Sequence, residues 1–250
     1  VKENCLYLDS REQADRFRTR LLNHCLRVSR AMMKDPAADE LVRVAIVGGG
    51  ATGVELAAEL YNAAAALSHY GLEVFDESRL KVTLLEAGPR ILPLLPEKLS
   101  AAARYELGQL GVAVQDTTQV IEARPGALIT KCGQTIEADL LVWAAGVKGA
   151  EFLAGLGLET NSRNQFVVRD TLQTVTDEDI FALGDCATYT PPGADRPIPP
   201  RAQAAHQMAN TVYGNIIRKL KGRPLQPFVY RDKGSLVSLS RFSTVGSLMG

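Results

Sequence analysis

The hexapeptide Gly48-Gly49-Gly50-Ala51-Thr52-Gly53 fits G-x-G-x-x-G, and with its flanks it restricts the fold more than any other stretch of the chain. Val42-Arg43-Val44-Ala45-Ile46-Val47 precedes it, a short, nearly unbroken apolar run of the kind that forms a strand covered on both faces. Ala51 to about Leu67 follows and reads as a helix. A glycine turn between a buried strand and a helix is the phosphate-binding corner of a βαβ unit. Gly48 lets the chain turn sharply, Gly50 leaves the backbone open to a pyrophosphate, and Gly53 lets helix and strand pack closely. At Ala51 and Thr52 the helix starts, and its free N–H groups and dipole favour an anion there.

Such a unit holds the ribose with an acid at the tip of its second strand. Glu86, after Val82-Thr83-Leu84-Leu85, fits. It lies 33 positions beyond Gly53, against ~20 in the usual fingerprint, and an insertion over residues 68–80 accounts for the surplus. A carboxylate there accepts from both ribose hydroxyls and repels a 2′-phosphate, which favours NADH over NADPH. Arg90 is the nearby cation that could accommodate such a phosphate. Glu55 and Glu59 share a helix face, and Glu55 is expected in the first turn, close to bound coenzyme. Glu59 reads as solvated or structurally paired.

The rest of the chain reads as α/β. Ser10 and Gln13 form a capping box for a helix from Arg11 to about Met33, with Phe17, Leu21, Leu22, Cys25, Leu26 and Val28 on its buried face. Lys81–Leu85, Val112–Val114 and Leu140–Ala145 are strand candidates, and Pro96 opens a helix closed by Gly111. Residues 117–138 read as a small antiparallel meander turning near Pro125-Gly126 and Cys132-Gly133. Later, Phe166–Arg169 and Ile180–Leu183 are expected strands, residues 190–200 a proline-rich loop, and Ala202 to about Lys221 a helix. A length of 250 residues suits two domains. With 28 basic and 28 acidic residues, no bulk field draws in nucleic acid. The four scattered cysteines form no CxxC pair and no zinc site, which points to free thiols in a reducing compartment. The opening residues do not read as a signal peptide, and no run reaches the ~20 apolar residues of a membrane span.

Asp179-Ile180-Phe181-Ala182-Leu183-Gly184-Asp185 is a second nucleotide-like signature. With the glycine turn and the Ala144-Ala145-Gly146 strand end, it resembles flavoproteins that carry two dinucleotide-binding domains. Within them the chain resembles the type II NADH:quinone oxidoreductases. Gly48–Glu55, Val82–Ala87, Trp143–Gly146, Gly184–Ala187 and Pro200–Gln207 carry the match. Most discriminating is a helix beginning Ala-Gln with a second Gln four residues on, here Gln203 and Gln207, which share one face. Met208 stands where many members have another Gln.

The resemblance implies a Rossmann-like NADH domain over 41–147, preceded by a helical segment over 1–40. Residues 148–250 would be the incomplete C-terminal half of an FAD domain. It implies that Gly184 and Asp185 contact the ribitol and pyrophosphate of FAD, and that Ala145, Gly146 and Ala204 line the cofactors. Glu55 would lie by the nicotinamide and flavin, and Gln203 and Gln207 would orient a quinone. The chain would be an internal fragment of a membrane-surface flavoprotein on the cytoplasmic side, a possible homodimer, docked through a C-terminal region beyond Gly250. Apolar surface is then expected around residues 166–185 and 236–250. Other reductases of the superfamily (disulfide reductases, NADH oxidases, ferredoxin reductases) are the alternatives, together with a non-catalytic nucleotide-binding sensor.

Overall fold

The computed structural model describes residues 3–72, 75–239 and 244–248. The chain folds as two compact units, Val1–Ala145 with Ser235–Leu248, and Gly146–Gly234.

In the first unit, helix α1 (Arg11–Lys34) leads into strand β1 (Val42–Val47), helix α2 (Ala51–Ala66) and strand β2 (Leu80–Leu85). Helix α3 (Glu97–Leu110), β3 (Ala113–Gln115), the meander β4 (Val120–Arg124), β5 (Ala127–Thr130) and β6 (Thr135–Glu137), and β7 (Leu140–Trp143) follow. Four strands form one parallel sheet in the order β3-β2-β1-β7. The chain steps outward from β1 through β2 to β3, then returns to the opposite side of β1. That reversal opens a crevice at the carboxyl ends of β1 and β7, where sheets of this topology bind ligands.

Alternation along β1 explains why both of its faces are apolar. Val42, Val44 and Ile46 enter a core shared with all three helices, whereas Ala45 and Val47 pack with Ala123, Leu128 and Ile136 of the meander. The parallel sheet is thus sandwiched between helices and a second, antiparallel sheet. Tyr61 ties the layers on the helical side: its hydroxyl donates to the carbonyls of Gly111 at 2.9 Å and Leu80 at 3.3 Å. Gly111 ends α3 in the left-handed conformation, as expected, with φ of 95°.

α1 starts where the capping residues place it. Ser10 Oγ accepts from the Gln13 amide at 3.2 Å, while Gln13 Oε1 accepts from Asp9 rather than from Ser10 itself. Its buried face differs from the expected one. Phe17, Cys25 and Val28 are buried with Leu21 and Met32 against them, but Leu22 and Leu26 are exposed. Each residue turns the helix by roughly 100°, so the neighbours of Leu21 and Cys25 fall outside the packed stripe.

β10 (Gly234–Ser238) and β11 (Thr244–Leu248) pair with each other. Val237, Leu239 and Val245 are buried in the first unit's helical core, not with the preceding C-terminal residues. The apolar surface expected over 236–250 is therefore largely covered among the described residues, although Leu236 is exposed.

In the second unit, short strands β8 (Phe166–Val167) and β9 (Ala187–Thr188) pair in parallel, and helix α4 covers Ala202–Leu220. The expected strand at Ile180–Leu183 does not form a ladder. Its backbone makes a turn at Asp177 and isolated bonds to residues 172–174 instead, with Thr174 donating to Ile180 and Ala182 to Leu172. Phe166, Val168, Leu172 and Ala182 are nevertheless buried, so the exposed apolar surface expected over 166–185 is reduced to positions such as Ile180. Residues 190–200 form a loop without helix or strand.

All four cysteines are free thiols of different character. Burial pushes Cys25 up to about 11 and also raises Cys5. Cys132 is exposed, and its contact with the Thr130 hydroxyl lowers it. An alkylating reagent at about pH 8 is expected to modify Cys132 first and Cys25 last, because the thiolate is the reacting form. Peptide mass spectrometry over a time course checks the order, and early labelling of Cys25 would contradict the packing of α1.

Candidate functional site

The turn after β1 carries out the division of labour read from its glycines. Gly48 has φ of 116°, and a β-carbon there would lie 2.7 Å from the Ala145 nitrogen, so the end of the β7 segment passes directly against the turn. At Gly53 a β-carbon would lie 2.0 Å from the Gly48 carbonyl oxygen, because α2 packs tightly on the strand end. Gly50 is the opposite case: nothing lies within 4 Å of its notional β-carbon. The first and third glycines face protein, and the middle one faces open space.

Gly50 is also the N-cap of α2, with no side-chain cap and no acidic residue in the first turn. The leading N–H groups of a helix have no intrahelical acceptor. Ala51 and Thr52 are exposed beside them. An uncapped, positively polarised helix end over an unobstructed glycine suits a diphosphate.

Glu86 sits at the end of β2 and reaches across to this turn. Its Oε2 accepts from the Gly49 amide at 2.7 Å and its Oε1 from the Gly88 amide at 2.6 Å. A carboxylate offers about four lone-pair sites, so two remain for a diol. Gly49 and Gly88 were not among the residues singled out by the motif. For Gly49 the signal was present, since three glycines in a row exceed what the fingerprint requires. A β-carbon there would come within 2.9 Å of both Glu86 and Ile91.

Arg90 points elsewhere. Its guanidinium donates to the carbonyls of Leu95 at 2.8 Å, Pro93 at 3.0 Å and Leu92 at 3.3 Å. These bonds engage three of its five N–H donors and tie the side chain to its own loop.

Glu55 is the fifth residue of α2, so it lies beyond the first turn expected for it. Its Oε1 accepts from the Ser238 amide at 3.1 Å. The two residues line a depression of about 360 Å³ with Leu56, Ala58, Glu59 and Leu239. Glu59 is exposed and accepts from Asn62 at 3.2 Å, the structural pairing anticipated for it. Nothing in the sequence separates Ser238 from other strand serines, which is why it was missed.

The second unit holds the other candidates. Gly184 has φ of 70°, its amide faces the Met208 sulfur at 3.4 Å, and the Asp185 side chain is exposed. Gln165 fixes this segment by donating to the Asp185 carbonyl at 2.8 Å. Ala204 is buried on α4, and Gly146 has φ of 82°. Gln203 and Gln207 share a helix face, and both bind the backbone that runs past it. Gln207 donates to the Arg231 carbonyl and accepts from the Arg231 amide, each at 2.9 Å. Gln203 donates to the Gly234 carbonyl at 2.7 Å and to Asp232 at 3.1 Å, and accepts from the Lys233 amide at 2.9 Å. These amides hold residues 231–234 in place. Among the described residues no His, Cys, Asp and Glu cluster could hold a metal ion, and no helix is long and apolar enough to cross a membrane.

A parallel sheet with a glycine turn at its switch point and a meander on its far face defines a Rossmann-type α/β unit of the kind that binds dinucleotides. Residues 2–209 match the pyridine nucleotide-disulphide oxidoreductase family, and the chain belongs to it. Among curated relatives, it is similar to the type II NADH:quinone oxidoreductase of Haemophilus influenzae, 51% identical over 99% of this chain and 58% of the relative. The enzyme of the same description from Staphylococcus saprophyticus is 33% identical over 85% of this chain and 53% of its own length. The chain thus spans little more than half the length of these relatives. NDH2 from Plasmodium falciparum, solved in complex with NADH, shares the fold with a TM-score of 0.79 at 18% identity, covering 99% of this chain and 66% of that one. A ferredoxin reductase from Rhodopseudomonas palustris aligns at a TM-score of 0.65 and 20% identity, over 92% of this chain and 49% of its own.

Proposed function

We propose that this chain supplies the NADH-binding domain, residues 41–147 with the segment 235–248 that joins the same unit, and part of the FAD-binding domain, over the intervening residues 148–234 rather than the whole of 148–250, of a type II NADH:quinone oxidoreductase. The observation that carries the coenzyme assignment is the uncapped start of α2 above Gly50, with Glu86 oriented one strand away. The diphosphate lies on the N–H groups of Gly50, Ala51 and Thr52. The ribose diol takes the free lone pairs of Glu86, and Ala145 closes the crevice from the neighbouring strand. Gly146, Gly184, Asp185 and Ala204 are assigned to FAD, and the exposed carboxylate of Asp185 suits a ribitol hydroxyl. NADH and FAD supply the hydride chemistry by which a quinone is reduced; the protein binds, orients and keeps out water.

Glu55 is assigned to the nicotinamide end of the site. At the proposed quinone face, one amide N–H of Gln207 meets no acceptor among the described residues and is available to a carbonyl, while Gln203 holds residues 232–234 beside it. The whole protein is proposed to act at the inner face of the cell membrane without crossing it with these residues, and to pair as a homodimer.

The coenzyme assignment is tested by calorimetric titration of the chain with NADH and NADPH. Wild type is expected to prefer NADH, and Glu86→Ala to lose roughly 10–100-fold in NADH affinity while narrowing the preference, the scale of charge-assisted hydrogen bonds. A Glu86→Ala chain with unchanged selectivity removes Glu86 from the ribose site. Oxidation of NADH by the full-length protein with a short-chain quinone, compared with disulfide and ferredoxin acceptors, tests the rest.

A further inference from the structure

Gly49 is gripped at both of its backbone polar groups by the segment after β2. Its N–H donates to Glu86, and its carbonyl accepts from the Leu92 amide at 2.7 Å. Carbonyl and N–H of one trans peptide point in opposite directions. The bond from Leu92 to the Gly49 oxygen therefore turns the Gly50 N–H away from the 86–95 segment, onto the open side of the turn. No acceptor within the described residues meets that N–H.

Leu92 makes this bond from a conformation it does not favour. Its φ is 48°, in the left-handed region that disfavours branched and bulky side chains. Something must hold it there. Ser100 secures one flank by donating to the Ile91 carbonyl at 2.7 Å. On the other flank residues 92–95 form a tight turn, closed by the Leu95 amide donating to the Leu92 carbonyl at 2.9 Å and clamped from outside by the guanidinium of Arg90, which binds the carbonyls of Leu92, Pro93 and Leu95. Among the described residues Arg90 forms no ion pair with a carboxylate, so backbone carbonyls are its partners.

We infer that Arg90 is a positioning residue of the coenzyme site, which holds Leu92 in its left-handed conformation so that Leu92 fixes the Gly49 carbonyl and aims the Gly50 N–H at the coenzyme diphosphate. This inference rests on the coenzyme assignment above and gives Arg90 a role opposite to that of a 2′-phosphate receptor. Its effect falls on the part that NADH and NADPH share.

The test measures NADH and NADPH binding to wild type, Arg90→Ala and Arg90→Lys by calorimetry, with the Gly50 amide followed by NMR during each titration. Arg90→Ala is expected to weaken both coenzymes by roughly tenfold, the scale of losing support behind a binding loop, and to leave their ratio within about twofold of wild type. The Gly50 amide resonance should respond less to saturating coenzyme. Arg90→Lys keeps the stem and the charge with a smaller donor set and should fall between the two. It also serves if the alanine variant does not fold. Unchanged NADH affinity in the folded variant overturns the inference alone, as does a loss confined to NADPH. Wild type that binds neither coenzyme overturns the coenzyme assignment and this inference with it.

Discussion

Gly50→Val is expected to abolish NADH binding while leaving the fold almost untouched. The backbone at Gly50 has φ of −73° and ψ of −176°, which any residue adopts, and the space around its β-carbon position is empty. Folding thus has little to resist. Valine is a poorer N-cap than glycine, a cost of about 1 kcal/mol or less. Binding has much to lose, since a branched side chain would fill the open space beside the Gly50, Ala51 and Thr52 N–H groups. Loss of two charge-assisted hydrogen bonds, at about 1.5–3 kcal/mol each, weakens affinity by at least ~100-fold. Calorimetry with NADH, alongside thermal unfolding, checks both halves. Binding within about fivefold of wild type would remove the diphosphate from this turn.

Gly53→Ala is expected to do the reverse and damage the fold first. In most helix interiors this change is favourable by about 1 kcal/mol. Here the new methyl would stand 2.0 Å from the Gly48 carbonyl oxygen and 3.2 Å from its carbon, and that neighbour is backbone rather than a side chain that can swing aside. Relief requires α2 to move off β1, away from a core that includes Val54, Ala57 and Ala58. The expected cost is roughly 3 kcal/mol or more, in the range of severe overpacking. Urea unfolding measures it. A midpoint equal to or above wild type would show that helix and strand do not meet as described.

The first unit was legible because its sequence signals are local and redundant. Apolar run, glycine turn and helix agree over Val42–Ala66, and each glycine's role follows from what it touches. What escaped the sequence depends on contacts between distant residues. Val237, Leu239 and Val245 would have strand character wherever they packed, so their burial in the first unit's helical core could not be read from the local pattern. Ile180–Leu183 looks like a strand but bonds irregularly to 172–174, and no local signal reports which backbone a segment will meet. The Gln203 and Gln207 spacing correctly placed both amides on one face of α4, yet gave no sign of the irregular segment 231–234 that engages them. Glu86 was found from its position after β2, whereas its two backbone partners required the fold.

Arg90's bonds to three carbonyls bear on any attempt to retarget this chain to a phosphorylated coenzyme. If Glu86 holds the ribose as proposed, removing its charge takes away repulsion but provides no counter-ion, and recruiting Arg90 would break its bonds to the coil behind the turn. A new cation must be imported at a site with no structural duty of its own. Ala87, exposed and next in the chain after Glu86, is the place where an arginine could be added at least expense to the scaffold.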